Sequence, residues 1–188
     1  MNALATDQAP SMAGEIWNNP GLKGEVTAGL YIGQSESEPR HVMSADGVIT
    51  NKETLRSFPP DILITNYKML DYLLVRPKDR ELWKFNESET LRYLVVDELH
   101  TFSGAQGTDL ACLIRRLKSR LETPEDFLCC VGTSATLGTK EEMSSLCDYA
   151  GSVFGEHFDK NSIITENRMT PGEFLEQNLI SSVDIVPF

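Results

Sequence analysis

Short apolar runs alternate along this chain with longer segments whose apolar residues recur every three to four positions. Four apolar runs have the length of buried strands: 26–32, 61–65, 91–96 and 127–131. Five segments have the apolar spacing of helices: 6–17 with Thr6 as its cap, 51–58, 67–75, 108–121 and 140–154. Strands that alternate with helices predict βαβ units, and therefore an α/β fold with a parallel sheet and helices on both faces.

Composition adds one constraint to this picture, which is the charge. With 188 residues, 40% of them hydrophobic, the chain fits a single globular domain. The N-terminus has no signal-peptide pattern and the longest apolar runs are too short to span a membrane. Four cysteines without a CxxC predict reduced core thiols in a cytoplasmic protein. The net charge of −11 disfavours a free-standing nucleic-acid binder and allows one lobe of a larger machine.

Polar clusters follow three of the predicted strands, and parallel strands bring their carboxyl ends to one edge of a sheet. The clusters are DELH at 97–100, GTSAT at 132–136 and TNY at 65–67. Asp97 and Glu98 suit nucleotide hydrolysis, since one carboxylate can hold Mg²⁺ while the next orients the attacking water. The simpler interpretation of an isolated Asp-Glu pair is that acidic residues end a strand at the solvent boundary. The second cluster, a few dozen residues later, favours hydrolysis.

These motifs resemble those of superfamily 2 helicases. DELH at 97–100 is similar to motif II, SAT at 134–136 to motif III, and TNYKMLDYLL at 65–74 to motif Ib. MNALATDQA at 1–9 resembles motif Ia of the Lhr-like and YprA/MrfA-like branch. The resemblance covers roughly residues 1–150 and implies a RecA-like lobe of a DEAD/DEAH-box helicase.

The resemblance also implies roles for individual residues, with ATP and Mg²⁺ as cofactors. Asp97 would hold Mg²⁺ and Glu98 would orient the catalytic water. Coupling of hydrolysis to lobe movement would fall to His100, Ser134, Ala135 and Thr136. Contacts with the nucleic-acid backbone would come from Asn2, Ala3, Leu4, Thr65, Asn66 and Tyr67.

A phosphate-binding GxxxxGK[ST] loop is absent from the sequence. By the resemblance, that loop would precede Met1 and a second RecA-like lobe would follow Phe188. We therefore expect residues 1–165 to be a partial ATP-binding lobe, incomplete at its N-terminal side, and 166–188 to be an exit segment toward the second lobe. We further expect that this chain alone does not turn over ATP.

The expected function of the longer motor is ATP hydrolysis coupled to movement along nucleic acid, DNA rather than RNA. Two alternatives remain open at this point. One is the motor subunit of a restriction or phage-defence nuclease, which would use the same lobe. The other is a degraded lobe that is retained only as an interaction module.

Two further groups of residues have both a structural and a functional interpretation. Five aromatic residues could stack on bases, but their spacing among Leu and Met favours the core: Trp17, Tyr67, Tyr72, Trp83 and Phe85. Four cations at 115–120 could contact phosphates, but a solvated helix face with cations near its C-terminal end is the favoured interpretation.

Overall fold

The computed structural model describes residues 2–33, 38–134 and 140–165. Their α-helices are α1 (Asn2–Asn18), α2 (Lys52–Ser57), α3 (Tyr67–Val75), α4 (Ala105–Arg120) and α5 (Lys140–Phe154). Their strands are β1 (Ala28–Tyr31), β2 (Ile62–Thr65), β3 (Tyr93–Val96) and β4 (Cys129–Gly132). Short 3₁₀ helices span Pro77–Trp83, Leu99–Thr101 and Lys160–Ser162. None of the described helices is long and apolar enough to cross a membrane.

The described strands form two parallel pairs. β1 pairs with β2, with Ala28 opposite Ile62, and β3 pairs with β4, with Tyr93 opposite Cys129. Helices α2 and α4 lie in the connections between the paired strands, which is the βαβ pattern that the sequence predicted. In each pair the carboxyl ends lie at the same edge, so the polar clusters that follow β3 and β4 must meet there.

Helix α1 begins earlier than predicted. Its buried residues recur at four-residue and three-residue intervals: Ala5, Ala9, Ala13 and Ile16. This stripe of small residues packs on Leu30 of β1 and continues to Ala5, one residue before Thr6. The helix therefore starts at Asn2, and the prediction that Thr6 caps it is wrong.

Helix α4 buries the apolar face that its periodicity predicted, and its cations tie it to its neighbours. The buried residues are Leu110, Leu113, Ile114, Leu117 and, just past the helix, Leu121. Arg115 donates to the Ser152 carbonyl at 3.1 Å, and Arg116 pairs with Asp71 of α3 at 2.5 Å. Lys118 donates to the Phe154 carbonyl at 2.9 Å and pairs with Glu156.

Two of the aromatic residues that were predicted to be core are exposed. Tyr72 is 49% exposed and Phe85 is 63% exposed. Tyr72 lies beside the buried stripe of α3, which Met69 and Leu73 occupy, and Phe85 follows the 3₁₀ helix Pro77–Trp83, where the chain leaves the core. Helical spacing among apolar residues therefore misassigned both.

The prediction of core thiols holds for only two of the four cysteines. Cys130 and Cys147 are buried, whereas Cys112 and Cys129 are exposed. Adjacent residues of a strand point to opposite faces, so Cys129 and Cys130 cannot share one environment. The exposed face of β3 also presents Tyr93 and Val95, which are 65% and 61% exposed.

A buried polar network fastens the 3₁₀ helix Pro77–Trp83 to the rest of the fold. Asp79, which is completely buried, accepts hydrogen bonds from the Tyr31 hydroxyl at 2.6 Å and from Arg56 Nε at 3.0 Å. Burial, followed by the bond to Asp79, raises the pKa of Tyr31. The neutral hydroxyl therefore remains a donor to the carboxylate throughout the physiological range.

Candidate functional site

Thr133 joins the chain segments that leave β3 and β4. Its backbone N–H donates to the Val96 carbonyl at 3.0 Å, and its own carbonyl accepts from the Leu99 N–H at 2.8 Å. Its hydroxyl oxygen accepts from the Glu98 N–H at 3.0 Å. These bonds extend the β3–β4 ladder past the strand ends and hold the DELH segment against the first residues of GTSAT.

Glu98 adopts a backbone conformation that is rare for a residue with a side chain. Its φ is 52° and its ψ is 45°, in the left-handed region. Such a conformation costs roughly 1–3 kcal/mol and persists where neighbouring contacts enforce it. Here the enforcing contacts come from Thr133, which binds the N–H groups of Glu98 and Leu99. The fold thus turns the chain sharply at the second carboxylate of the pair.

Asp97 is held by hydrogen bonds to both of its carboxylate oxygens. Oδ1 accepts a short bond from the Thr133 hydroxyl, and Oδ2 accepts from Gln8 Nε2 at 2.7 Å. Gln8 lies on α1, 89 positions earlier in the sequence. Asp97 therefore links the first helix to both strand ends, and its orientation is fixed before any ligand binds.

His100 bridges Glu98 and Ser134. Its Nε2 lies 3.2 Å from Glu98 Oε2, and its Nδ1 lies 3.2 Å from the Ser134 hydroxyl. The side chains of His100 and Glu98 are 33% and 44% exposed, so the bridge stays open to solvent and to a ligand. This bridge connects DELH and GTSAT, which lie more than thirty residues apart in the sequence.

The residues at the end of β2 make local structural contacts. The Thr65 hydroxyl donates to the Tyr31 carbonyl at 2.6 Å, and Asn66 caps α3 by accepting from the Met69 N–H at 2.8 Å. The Tyr67 ring packs edge-on against Phe102, with ring centroids 5.4 Å apart. Since Phe102 follows the DELH segment, this contact brings the start of α3 next to the Asp97–Glu98 turn.

Some predicted site residues have no described side-chain geometry. Asn2, Ala3 and Leu4 form the first turn of α1, and their side chains lie outside the described part of the structure. Ala135 and Thr136 lie outside the described residues altogether. Of the predicted residues, the structure brings together Asp97, Glu98, His100 and Ser134. Tyr67 approaches them through Phe102, whereas the described contacts of Thr65 and Asn66 are with Tyr31 and Met69.

Sequence reasoning missed two members of the site, Thr133 and Gln8. Thr133 is the first residue after β4 and shares a cluster with Ser134, so its position at the strand end was the available signal. Gln8 is part of MNALATDQA at 1–9, but a helical Gln gives no indication of a partner 89 positions away. Its role depends on tertiary packing of α1 that no local pattern encodes.

The arrangement defines a class of protein. A parallel α/β fold that presents two adjacent carboxylates just beyond a strand end, one of them bonded to the next strand's exit, is suited to hydrolysing nucleotide phosphates. The model of the DEAD/DEAH box helicase family matches residues 32–144. This chain therefore belongs to the DEAD/DEAH box helicase family, in its Lhr-like and YprA-like branch. The fold is accordingly RecA-like.

Individual relatives agree with this assignment. Over 143 residues, 75% of this chain and 16% of the relative, the chain is 37% identical to the ATP-dependent helicase YprA of Bacillus subtilis. It is 34% identical over 128 residues to the Druantia protein DruE of Escherichia coli, covering 64% of this chain and 7% of that protein. The crystal structure of the DUF1998 helicase MrfA bound to DNA and AMPPNP matches 84% of this chain and 19% of that one, with a TM-score of 0.56 and 25% identity. The chain thus spans less than a fifth of the length of each.

Proposed function

We propose that residues 1–165 supply part of the ATP-hydrolysing lobe of a DNA helicase or translocase, and that 166–188 lead toward its second lobe. The observation that carries this proposal is the hydrogen-bonded bridge from Glu98 through His100 to Ser134. It connects a carboxylate placed for hydrolysis to the segment that leaves the neighbouring strand. We propose that a shift of Glu98 moves Ser134 through His100, and that a shift of Ser134 moves Glu98 in the same way.

Asp97 is proposed to hold Mg²⁺ in the working motor. Mg²⁺ prefers oxygen ligands, and proteins bind it through one or two carboxylates together with substrate phosphates and water. In such a site the cation would take its remaining ligands from the nucleotide and solvent. Bound there, Mg²⁺ would neutralise charge on the phosphates.

Glu98 is proposed to orient the attacking water. Its side chain is the more exposed of the bridged pair, and its left-handed backbone turns it away from the course of β3. His100 holds one carboxylate oxygen, which leaves the other available as a hydrogen-bond acceptor for water. Ser134, with Ala135 and Thr136 after it, would relay the state of this site to the movement of the lobes.

The nucleic-acid backbone is proposed to contact the start of α3 and the first turn of α1. Helix N-termini and small hydroxyl or amide groups suit phosphate oxygens, and Thr65, Asn66 and Tyr67 lie at such a terminus. Asn2, Ala3 and Leu4 lie at the other. The DNA bound in the MrfA structure supports DNA rather than RNA as the nucleic acid along which the motor moves. Free, exposed thiols at Cys112 and Cys129 suit a reducing compartment, and we place the protein in the cytoplasm.

Substitutions of Asp97 and Glu98 in a full-length helicase that carries these residues test their two proposed roles separately. Glu98→Gln should lower kcat for ATP by at least about 10²-fold while ATP binding persists, because the amide has the same shape but is a poor base. Asp97→Ala should weaken binding of Mg²⁺-ATP itself. Glu89→Gln, which alters an exposed carboxylate away from the site, is the control.

His100→Ala tests the bridge. We expect it to keep ATP binding and to reduce the stimulation of ATPase by DNA. Steady-state ATPase with and without single-stranded DNA, together with a fluorescent ATP analogue for binding, provides both readouts. Equal losses of ATP affinity in Asp97→Ala and Glu98→Gln, or full DNA stimulation in His100→Ala, would contradict the proposed roles.

A further inference from the structure

Residues 76–84 form one of the cation-rich segments of this acidic chain. Four of the nine residues at 76–84 are Lys or Arg, in a protein with 17 such residues and a net charge of −11. Arg120, the last residue of α4, lies across a cleft from this segment. We define the basic surface as these five residues: Arg76, Lys78, Arg80, Lys84 and Arg120.

Three residues of the basic surface line an open cleft of about 400 Å³, and Arg76 and Lys78 precede two of these residues in the segment 76–84. Arg80, Lys84 and Arg120 line it together with Trp83, and Glu81 is its acidic member. Helix α4 begins at Ala105, after the DELH segment in the chain, and its 16 residues end at Arg120 beside the cleft. At 1.5 Å per residue the cleft is about 24 Å along α4 from Ala105, so it is a separate surface.

The positive charge of this region is only partly compensated. Asp79 is completely buried and is occupied by Arg56 and Tyr31. The pKa of Lys52 is lowered, first by burial and then by the charges of Lys78, Arg56 and Arg76. The contribution of these cations, which Asp79 opposes in part, is consistent with the excess of Lys and Arg in the segment 76–84. Such an excess attracts an anionic partner.

Exposed aromatic rings accompany the cations. The Arg76 guanidinium lies 4.0 Å from the centroid of the Tyr72 ring, and Lys84 Nζ lies 5.6 Å from the centroid of Phe85. Tyr72 and Phe85 are 49% and 63% exposed. The acidic side chains of a protein partner would pair with the cations and would not require the exposed aromatic rings. Cations that neutralise phosphates beside aromatic faces that stack on bases are the combination that binds single-stranded nucleic acid.

We propose that the basic surface binds single-stranded nucleic acid, with phosphates against its cations and bases stacked on Tyr72 and Phe85. This inference rests on the proposed nucleic-acid function and adds a second contact region, distant from Thr65 and Asn66. Single-stranded nucleic acid that is bound at Thr65 and Asn66 would make a second set of contacts at the basic surface. Contacts of both kinds are indifferent to base sequence.

The charge test uses the 188-residue chain and fluorescein-labelled dT₂₀, with anisotropy measured from low to physiological salt. Lys78→Ala/Arg80→Ala should weaken binding about tenfold or more at low salt. It should also reduce the slope of log K against log salt by about 1.4, since each phosphate contact on a single strand contributes about 0.7. The control, Lys23→Ala/Lys160→Ala, removes two exposed cations elsewhere and changes the net charge equally, from −11 to −13. We expect it to change Kd by less than about twofold.

The ring test asks whether bases are contacted. Tyr72→Leu and Phe85→Leu should each weaken dT₂₀ binding by about tenfold, whereas Tyr72→Phe and Phe85→Tyr keep a ring and should bind like the wild type. An abasic oligonucleotide of the same length should bind with no dependence on either ring and with the same dependence on Lys78 and Arg80. Both aromatic residues are exposed, so the variants should fold.

Three outcomes would overturn the proposal. The first is an equal loss of affinity in the two double variants, which would show that net charge alone matters. The second is unchanged binding in both Leu variants, which would show that bases do not stack on Tyr72 and Phe85. The third is no detectable dT₂₀ binding at low salt. Thr65→Ala tests the proposed contact at Thr65 and Asn66 separately. If Thr65→Ala leaves dT₂₀ binding unchanged while Lys78→Ala/Arg80→Ala weakens it, the contact at Thr65 is wrong and the basic surface is supported.

Discussion

At the scale of single residues, Gly132 at the end of β4 lies against Leu99 of the DELH segment. A Cβ at this position would lie 2.6 Å from Leu99 Cδ2 and 3.3 Å from Leu99 Cβ. Leu99 is 2% exposed and lies between Glu98 and His100. The glycine is thus required by close approach of the β4 end to the DELH segment, and any side chain there must displace Leu99.

Gly132→Ala should therefore lower the free energy of unfolding by about 1–3 kcal/mol, the usual cost of overpacking a well-filled site. Gly14→Ala is the matched control, because its Cβ would meet only the Ala45 carbonyl, at 3.9 Å, inside helix α1. Alanine in a helix should raise stability there by about 0.5–1 kcal/mol. Urea unfolding followed by circular dichroism measures both. Equal stability of Gly132→Ala and the wild type would show that Leu99 yields freely.

The adjacent cysteines of β4 give a second residue-scale prediction. Burial raises the pKa of Cys130 to about 11, so at pH 8 only about one molecule in a thousand carries its thiolate. We expect Ellman's reagent to label Cys112 and Cys129 quickly and Cys130 and Cys147 slowly in the folded chain. Cys130→Ala should remove one slow thiol and leave the fast phase unchanged. A fast phase of three or four thiols would contradict the burial of Cys130, of Cys147 or of both.

At the scale of elements, two ion pairs hold the region around α3 with very different strength. Arg116 and Asp71 join α4 to α3 with side chains that are 54% and 45% exposed. Arg56 and Asp79 join α2 to the 3₁₀ helix Pro77–Trp83 with the carboxylate completely buried. Exposed pairs contribute about 0–1 kcal/mol, whereas removing one partner of a buried pair costs about 3–5 kcal/mol.

Asp79→Ala should accordingly destabilise the chain by about 3–5 kcal/mol, because it leaves the Arg56 charge and the Tyr31 hydroxyl without their acceptor. Asp71→Ala should cost less than about 1 kcal/mol, and its effect should shrink in high salt. Urea midpoints at low and high salt distinguish the two. Similar midpoints for both variants would mean that the buried network does not fasten the 3₁₀ helix.

Elements with strong periodicity could be predicted from the sequence, and contacts between distant elements could not. The stripe of α4 and the Asn66-capped helix α3 are encoded locally, so their bounds came close to Ala105–Arg120 and matched Tyr67–Val75. The strand-end rule likewise placed Asp97 and Glu98 beside Ser134. The bond from Gln8 to Asp97 depends on how α1 packs, and no local pattern specifies it. Tyr72 was misassigned because periodicity marks one face of a helix without defining its edges.

At the scale of the whole molecule, charge is distributed unevenly. A formal charge of −11 opposes a polyanion at long range, while the basic surface attracts one locally. The contacts proposed at Thr65 and Asn66 would add a helix terminus and neutral polar groups, which can position a phosphate without supplying net charge. These opposing contributions set the affinity of the chain for nucleic acid. Added salt weakens binding because phosphate contacts then gain less free energy from counterion release.

We therefore expect this chain to bind single-stranded DNA weakly at physiological salt, with Kd at or above roughly 10⁻⁴ M, the weak end of non-specific affinity. Affinity should rise steeply as salt is lowered, because released counterions supply most of the driving force. Neither contact region reads base edges, so dT₂₀, dC₂₀ and mixed-sequence strands should differ only modestly, as stacking strength alone allows. Anisotropy titrations with these strands across a salt series measure all three properties. Tight binding at physiological salt, a flat salt dependence or strong preference for one sequence would each show that the chain recognises nucleic acid through contacts other than those assigned to it.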